Sequence, residues 1–340
     1  MAALIVLSSC AEKVVRPAAL DDGAQNNGGG SGTSAPADAG PRDSGDSGAQ
    51  PTVLASGLDA PRAIAVGGSA LYFALPGATD GGVLGSIASV SRQGGAVATL
   101  VPDVDSPVAI AASPAAVCFL SRPAVGLGSV YCAPLPSGPV VTIATGEEGL
   151  SAIAIDGSYV YWASALAGTL VERSLVTGGG VAVVATAPGA CAPAGLAVDS
   201  GFVYFACSGA SANVYAAPAA GGSALPLDVP ALATCGDVVS EGSRVLVARE
   251  AGSIVSVPKV GGASSLFASK LGAPGHMARD AAYLYWTSPS DGVVYARATA
   301  TPAGAPLAIA SGLTAPLGIA VDDAVYFTTA STVQRAPLAQ

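Results

Sequence analysis

From residue 51 onward the chain alternates short apolar runs with polar or Gly-rich turns, and the alternation itself repeats. The marker is an aromatic-rich segment: Leu71-Tyr72-Phe73, Val117-Cys118-Phe119, Val160-Tyr161-Trp162, Val203-Tyr204-Phe205, Val245-Leu246-Val247, Leu284-Tyr285-Trp286 and Val325-Tyr326-Phe327. Copies recur every 39 to 46 residues, a period that belongs to stacked-repeat architectures. A shorter apolar run precedes most copies, as in Ile64-Ala65-Val66, Ile110-Ala111-Ala112, Ile153-Ala154-Ile155, Leu196-Ala197-Val198 and Ile319-Ala320-Val321. The two are joined by turns such as Asp156-Gly157-Ser158, with residues that favour tight hairpins. A third run follows: Val90-Ser91, Val130-Tyr131, Leu170-Val171, Val214-Tyr215, Ile254-Val255, Val294-Tyr295 and Val333-Gln334. Then come a Gly pair and a fourth run, for example Val181-Ala182-Val183-Val184.

Each repeat therefore predicts a four-stranded antiparallel meander. One such sheet cannot bury both faces, whereas copies packed radially can. The expectation is an all-β chain, a seven-bladed β-propeller in preference to a six- or eight-bladed one. The small Ala and Gly residues of the first strand suit the crowded axis. The seventh repeat ends after its third strand. Its fourth strand is supplied from the other end, because Val53-Leu54-Ala55-Ser56-Gly57-Leu58-Asp59-Ala60-Pro61 matches Ala308-Ile309-Ala310-Ser311-Gly312-Leu313-Thr314-Ala315-Pro316. An N-terminal strand thus closes the ring and leaves no open edge.

Composition narrows the function classes. The chain is 51% hydrophobic and 11% charged, yet no apolar run approaches the ~20 residues of a membrane-spanning helix. Lys and Arg number 14 against 23 Asp and Glu, a net charge of −9, which offers no basic footprint for nucleic acid. Residues 11–50 contain Asn26-Asn27-Gly28-Gly29-Gly30-Ser31-Gly32 and no aromatic residue. Such a segment lacks the apolar area to offset ordering entropy and reads as a flexible tether. The expected organisation is a signal segment at 1–10, a disordered tether at 11–50 and the propeller at 51–340.

Two resemblances add to this. Leu7-Ser8-Ser9-Cys10 resembles the bacterial lipobox, with no Lys or Arg ahead of it. The resemblance implies lipidation of Cys10 after cleavage of the preceding residues. Ala11 in place of Asp implies the outer membrane, so the expected location is the cell envelope, with the membrane engaged only through the lipid. Leu284-Tyr285-Trp286-Thr287-Ser288 and Gly195-Leu196-Ala197-Val198-Asp199 resemble the YWTD propellers of lipoprotein-receptor ectodomains and their bacterial relatives. The motif's Asp is replaced, with Ser288, Ser164, Cys207 and Thr329 in its place, and those rings have six blades. The Pro-x-x-Ile-Ala-Val…Tyr-Phe rhythm is also similar to seven-bladed streptogramin lyases.

Candidate chemistry is sparse. An oxidising exterior permits disulfides. Cys118 and Cys132 flank a loop whose centre is residue 125, so they face each other across an antiparallel pair. Cys191 and Cys207 fall at one end of blade four and are the second expected pair, leaving Cys235 over. Aligning the repeats puts Ala63, Ala109, Ala152, Gly195, Asp237, His276 and Gly318 at one position early in the first strand. The neighbouring Asp237 and His276 form a candidate polar ligand site at the channel mouth, with Arg62 on the same rim; an ion pair within a degenerate repeat is the bland reading. Asp59, Asp80, Asp103, Asp105, Glu147, Glu148, Asp228, Glu250 and Asp291 are placed in loops on that face. They read as a solvated rim, with Ca²⁺ the only cofactor worth weighing and no loop of usual calcium spacing. His276 is the single histidine, and no nucleophile elbow occurs.

The function expected from sequence is a lipid-anchored binding or interaction module, monomeric, with a protein or polysaccharide ligand. The alternative is a propeller enzyme of lactonase, lyase or quinone-dependent dehydrogenase type with its site at the channel mouth. The chain supplies poorly what such enzymes need. It has only Trp162 and Trp286 for a tryptophan ring, and Asn only at 26, 27 and 213 for calcium ligation.

Overall fold

In the computed structural model the described residues are 7–8, 50–77, 83–164, 170–187, 191–208, 212–227, 236–249, 251–269, 271–300 and 304–340. Among them the strands form seven four-stranded antiparallel sheets arranged as the blades of a propeller, and there is no helix. Blade one runs Ile64–Gly67, Ala70–Gly77, Leu84–Ser91, Ala98–Val104. The later blades begin with inner strands Pro107–Ala112, Ala152–Asp156, Ala192–Asp199, Val238–Glu241, Met277–Arg279 and Ile319–Val321. A two-residue strand, Leu7–Ser8, pairs with Ala152 and Ile153 on the inner edge of blade three.

The seventh blade is composite. Its fourth strand is Thr52–Ser56, with Val53 opposite Gln334 and Ala55 opposite Val333. Residues 52–56 and the last three strands therefore share one sheet. The outer edge that the last three strands would otherwise present is covered, which removes a template for edge-to-edge association.

The core lies between blades. One buried cluster joins Phe73 of blade one to Phe119 of blade two and Tyr326 of blade seven; another joins Trp162 of blade three to Leu120 and Cys132 of blade two. The aromatic residues of the second strand supply most of this packing. Trp162, Trp286, Phe73, Phe119, Phe205, Tyr326 and Phe327 are almost fully enclosed, and burying an aromatic of this size stabilises by roughly 1.5–3 kcal/mol. A polar substitution at any of them opens a seam between two blades.

Inner strands approach at backbone contact. A Cβ on Gly195 would lie 2.6 Å from the Gly236 carbonyl, and one on Gly318 would lie 2.3 Å from the Arg62 carbonyl. Only glycine fits these two positions, and the small residues expected at the axis follow from the same crowding.

Cross-strand register sets what faces each second-strand aromatic. Phe119 opposes Tyr131, Phe205 opposes Tyr215 and Trp286 opposes Tyr295. The corresponding partner of Trp162 is Glu172, one residue beyond Val171, and that of Phe73 is Ala88, ahead of Val90. A slip of one residue would exchange the faces of a strand; the observed register puts Glu172 in the slot that tyrosine holds in blades two, four and six.

Both disulfides are present. Cys118 and Cys132 are direct cross-strand partners with Cα atoms 4.0 Å apart, and Cys191 joins Cys207 with Cα atoms 5.2 Å apart. Cys10, Cys235, Asp80, Asp228 and Glu250 lie outside the described residues.

Candidate functional site

The entry residues of the inner strands are equivalent from blade to blade, and that equivalence is carried by backbone bonds. Ala74 N–H donates to Ala63, Ala248 to Asp237, Thr287 to His276 and Thr328 to Gly318. Asp237 and His276 thus occupy the same place in neighbouring blades five and six.

Their chemistry differs from a simple ion pair. Asp237 is 2% exposed. One carboxylate oxygen accepts the N–H of Val238 at 2.9 Å, and the other accepts the N–H of Met277 in the next blade at 2.7 Å. The carboxylate is a staple between two inner strands. The imidazole Nδ1 of His276 lies 3.8 Å from the oxygen that holds Met277, outside hydrogen-bond range, and has no hydrogen-bond partner among the described residues. A buried carboxylate with two amide donors is a structural arrangement first, and it leaves little capacity for a ligand.

Hydroxyls make the same join in the next two blades. Thr287 Oγ1 accepts from His276 N–H and donates to the Leu317 carbonyl of blade seven at 2.7 Å. Thr328 Oγ1 accepts from Gly318 N–H and donates to the Arg62 carbonyl of blade one at 2.9 Å. The inner ring from blade five to blade one is therefore held by one side chain per junction. Sequence comparison of first strands alone missed Thr287 and Thr328, because they stand on second strands; aligning those strands would have exposed them.

Arg62 opens blade one, two blades beyond His276. Arg122 follows the second strand of blade two. The Arg122 guanidinium donates to the Leu150 carbonyl at 3.1 Å, at the entry to blade three. Burial lowers its pKa from the ordinary guanidinium value, and the Arg62 charge lowers it further. The equivalent entry positions of blades one to three carry only the buried methyl groups of Ala63, Ala109 and Ala152.

The acidic rim divides on inspection. Asp291 is exposed and held below the usual carboxylate range, first by the Ser288 hydroxyl, then by Gly272 N–H. Glu147 does not belong to the rim: it is 7% exposed and lies between blades two and three beside Glu172, which is 9% exposed. Among the described residues no group of three or more His, Cys, Asp or Glu is disposed to hold a metal.

A further groove of about 590 Å³ opens at the outer side of blades five and six, lined by Phe267, Tyr295, Arg297, Leu271 and Pro306. The Arg297 guanidinium lies 5.6 Å from the Phe267 ring centre.

No protein-family model matches the chain, and no curated protein matches it. Solved structures do share its fold. A streptogramin B lyase superposes with a TM-score of 0.67 at 13% identity, covering 85% of this chain and 97% of its own. Virginiamycin B lyase from Staphylococcus aureus gives 0.66 at 11% identity, covering 85% and 98%. BamB from Moraxella catarrhalis gives 0.53 at 14% identity, covering 83% and 85%. At these identities the likeness carries the fold alone.

Proposed function

We propose that this chain is an extracytoplasmic, lipid-anchored β-propeller that binds an envelope partner through its channel mouth, without catalysis. The observation that supports the reading is Arg122, a guanidinium engaged with the Leu150 carbonyl beside the inner strands. A planar guanidinium suits a carboxylate or phosphate, and the ligand is expected to present one to Arg122. The two disulfides support an oxidising location, since such bonds persist outside the reducing cytosol. The Leu7-Ser8-Ser9-Cys10 segment supports the lipid anchor.

The staple role of Asp237 removes the most promising acid from catalytic work, and His276 then has no carboxylate within hydrogen-bond range to orient it. The test is a thermal-shift series with phosphate, sulfate and citrate on the full chain. Stabilisation of the wild type that is lost in Arg122→Gln is the expected result. A wild type unaffected by every anion overturns the anionic-ligand reading. One lyase structure holds quinupristin, so the same protein is incubated with quinupristin; turnover overturns the non-catalytic reading.

A further inference from the structure

Blade three breaks the packing rule of its neighbours at one slot. In blades two, four and six the third strand places a tyrosine against the second-strand aromatic: Tyr131 on Phe119 at 5.4 Å, Tyr215 on Phe205 at 5.4 Å and Tyr295 on Trp286 at 5.6 Å between ring centres. Blade three places Glu172 against Trp162 instead, and the indole N–H donates to Glu172 Oε2 at 3.0 Å. A second replacement faces it. Glu147 opposes Gly128 at the end of the fourth strand of blade two, the position that Val104 occupies opposite Gly85 in blade one. A slot held by tyrosine in blades two, four and six and one held by Val104 in blade one have become a carboxyl pair across one blade junction.

Two buried carboxylates at hydrogen-bond range cannot both ionise without a compensating charge. The other charged groups of the surrounding elements are turned away or engaged. Arg173 lies over the Tyr159 ring at 4.6 Å, Glu148 is exposed, and Arg122 donates to the Leu150 carbonyl. The Trp162 N–H goes to Glu172, and Glu147 Oε2, which is enclosed, meets no donor among the described residues. We infer that Glu147 and Glu172 form a proton-binding pair that latches blade two to blade three, and that the latch opens when the shared proton is lost. With the proton in place, the Glu172 hydroxyl donates to the Glu147 carboxylate while Trp162 holds the other oxygen of Glu172. Without it, two anions face each other in an enclosed seam.

The electrostatics of the pair agree with this geometry. Burial, first, and then the Glu147 charge push the Glu172 carboxyl up to about 7, against the Trp162 hydrogen bond, which lowers it. The folded value lies above the unfolded one. The stabilising contribution is then complete below the usual glutamate range and is lost as pH rises through about 7.

The experiment is a pH series of thermal unfolding on the full chain between pH 5 and pH 8, with amide exchange followed in strands 141–147 and 170–175. The wild type is expected to melt lower at pH 8 than at pH 5 by roughly 5–10 °C, with exchange in those two strands accelerating more than elsewhere. Glu172→Gln keeps a donor without a titrating proton and should flatten that difference. Should that variant fail to fold, the double change Glu147→Val with Glu172→Tyr restores the residues of the sister blades and should flatten it too. A flat wild-type profile, or a Glu172→Gln profile parallel to the wild type, overturns the latch. Recovery of the pH 5 melting temperature at pH 8 by 1 mM Ca²⁺, in the wild type but not in Glu172→Gln, overturns it in favour of a cation site.

Discussion

Thr328 in blade seven donates its hydroxyl to the main-chain carbonyl of Arg62 in blade one, 2.9 Å away and 266 residues earlier in the chain. The same hydroxyl accepts the Gly318 N–H, so one oxygen serves two backbone groups at the junction where the ring closes. Thr328→Val keeps the shape and removes both bonds. Each buried group left unsatisfied costs about 1–3 kcal/mol, and a loss of that order is the expected result in denaturant titration, whereas Thr328→Ser should recover most of it.

Closure also depends on Thr52–Ser56, which completes blade seven against Thr332–Ala336. Deleting residues 51–57 should lower the unfolding temperature sharply and produce association through the uncovered strand. Light scattering together with calorimetry reads both effects. A deletion variant with the wild-type melting curve would refute the composite blade.

Asp237 and His276 separate by mutation. Asp237→Ala strands the N–H groups of Val238 and Met277, both buried, and should destabilise by roughly 2–5 kcal/mol. His276→Ala removes a ring with no hydrogen bond to Asp237 and should cost far less. Equal losses in the two variants would show that the imidazole contributes to the staple.

Asp199 gives an acid-side dependence. Burial alone would raise its carboxyl, but hydrogen bonds from Lys259, Ser240 and Ser200 outweigh that and hold it down at about 2. Lys259 Nζ is 2.6 Å from Asp199 Oδ2 and 5.0 Å from the Tyr204 ring centre, joining blade five to blade four. With a depressed folded value, this contribution is complete above the usual carboxylate range and is lost as pH falls towards about 2. Lys259→Met should flatten unfolding between pH 5 and pH 2 while lowering stability at pH 7 by about 1 kcal/mol.

The anchor has a direct assay. Fatty-acid labelling of the expressed protein should mark the wild type and be abolished by Cys10→Ala; label retained in the variant would refute the lipobox reading.

Much of the fold was legible in the chain because its evidence is local and repeated. The aromatic second strands recur with the same neighbours, and the match of residues 53–61 to 308–316 is a comparison of sequence with sequence. The Cys118–Cys132 pairing was legible for a similar reason, since a loop centre sets which residues of a hairpin oppose. The site was less legible. Asp237 and His276 stood out as polar residues among tiny ones, but a first-strand alignment says nothing of what a carboxylate accepts, and its partners proved to be backbone amides.

What the sequence alone determined is the unit, its number and its closure: a seven-bladed ring of antiparallel meanders completed by an N-terminal strand. These follow from periodicity, which any copy of the repeat reports. Only the tertiary structure decided which residues meet between blades. Glu147 and Glu172 belong to different repeats, and a one-residue shift in register at the third strand decides whether Glu172 faces a neighbouring blade's carboxylate or turns away from it. Strand alternation has a period of two, so that shift inverts every side chain. Only the ladder of backbone hydrogen bonds, formed when Trp162 settles opposite Glu172, fixes which face is buried.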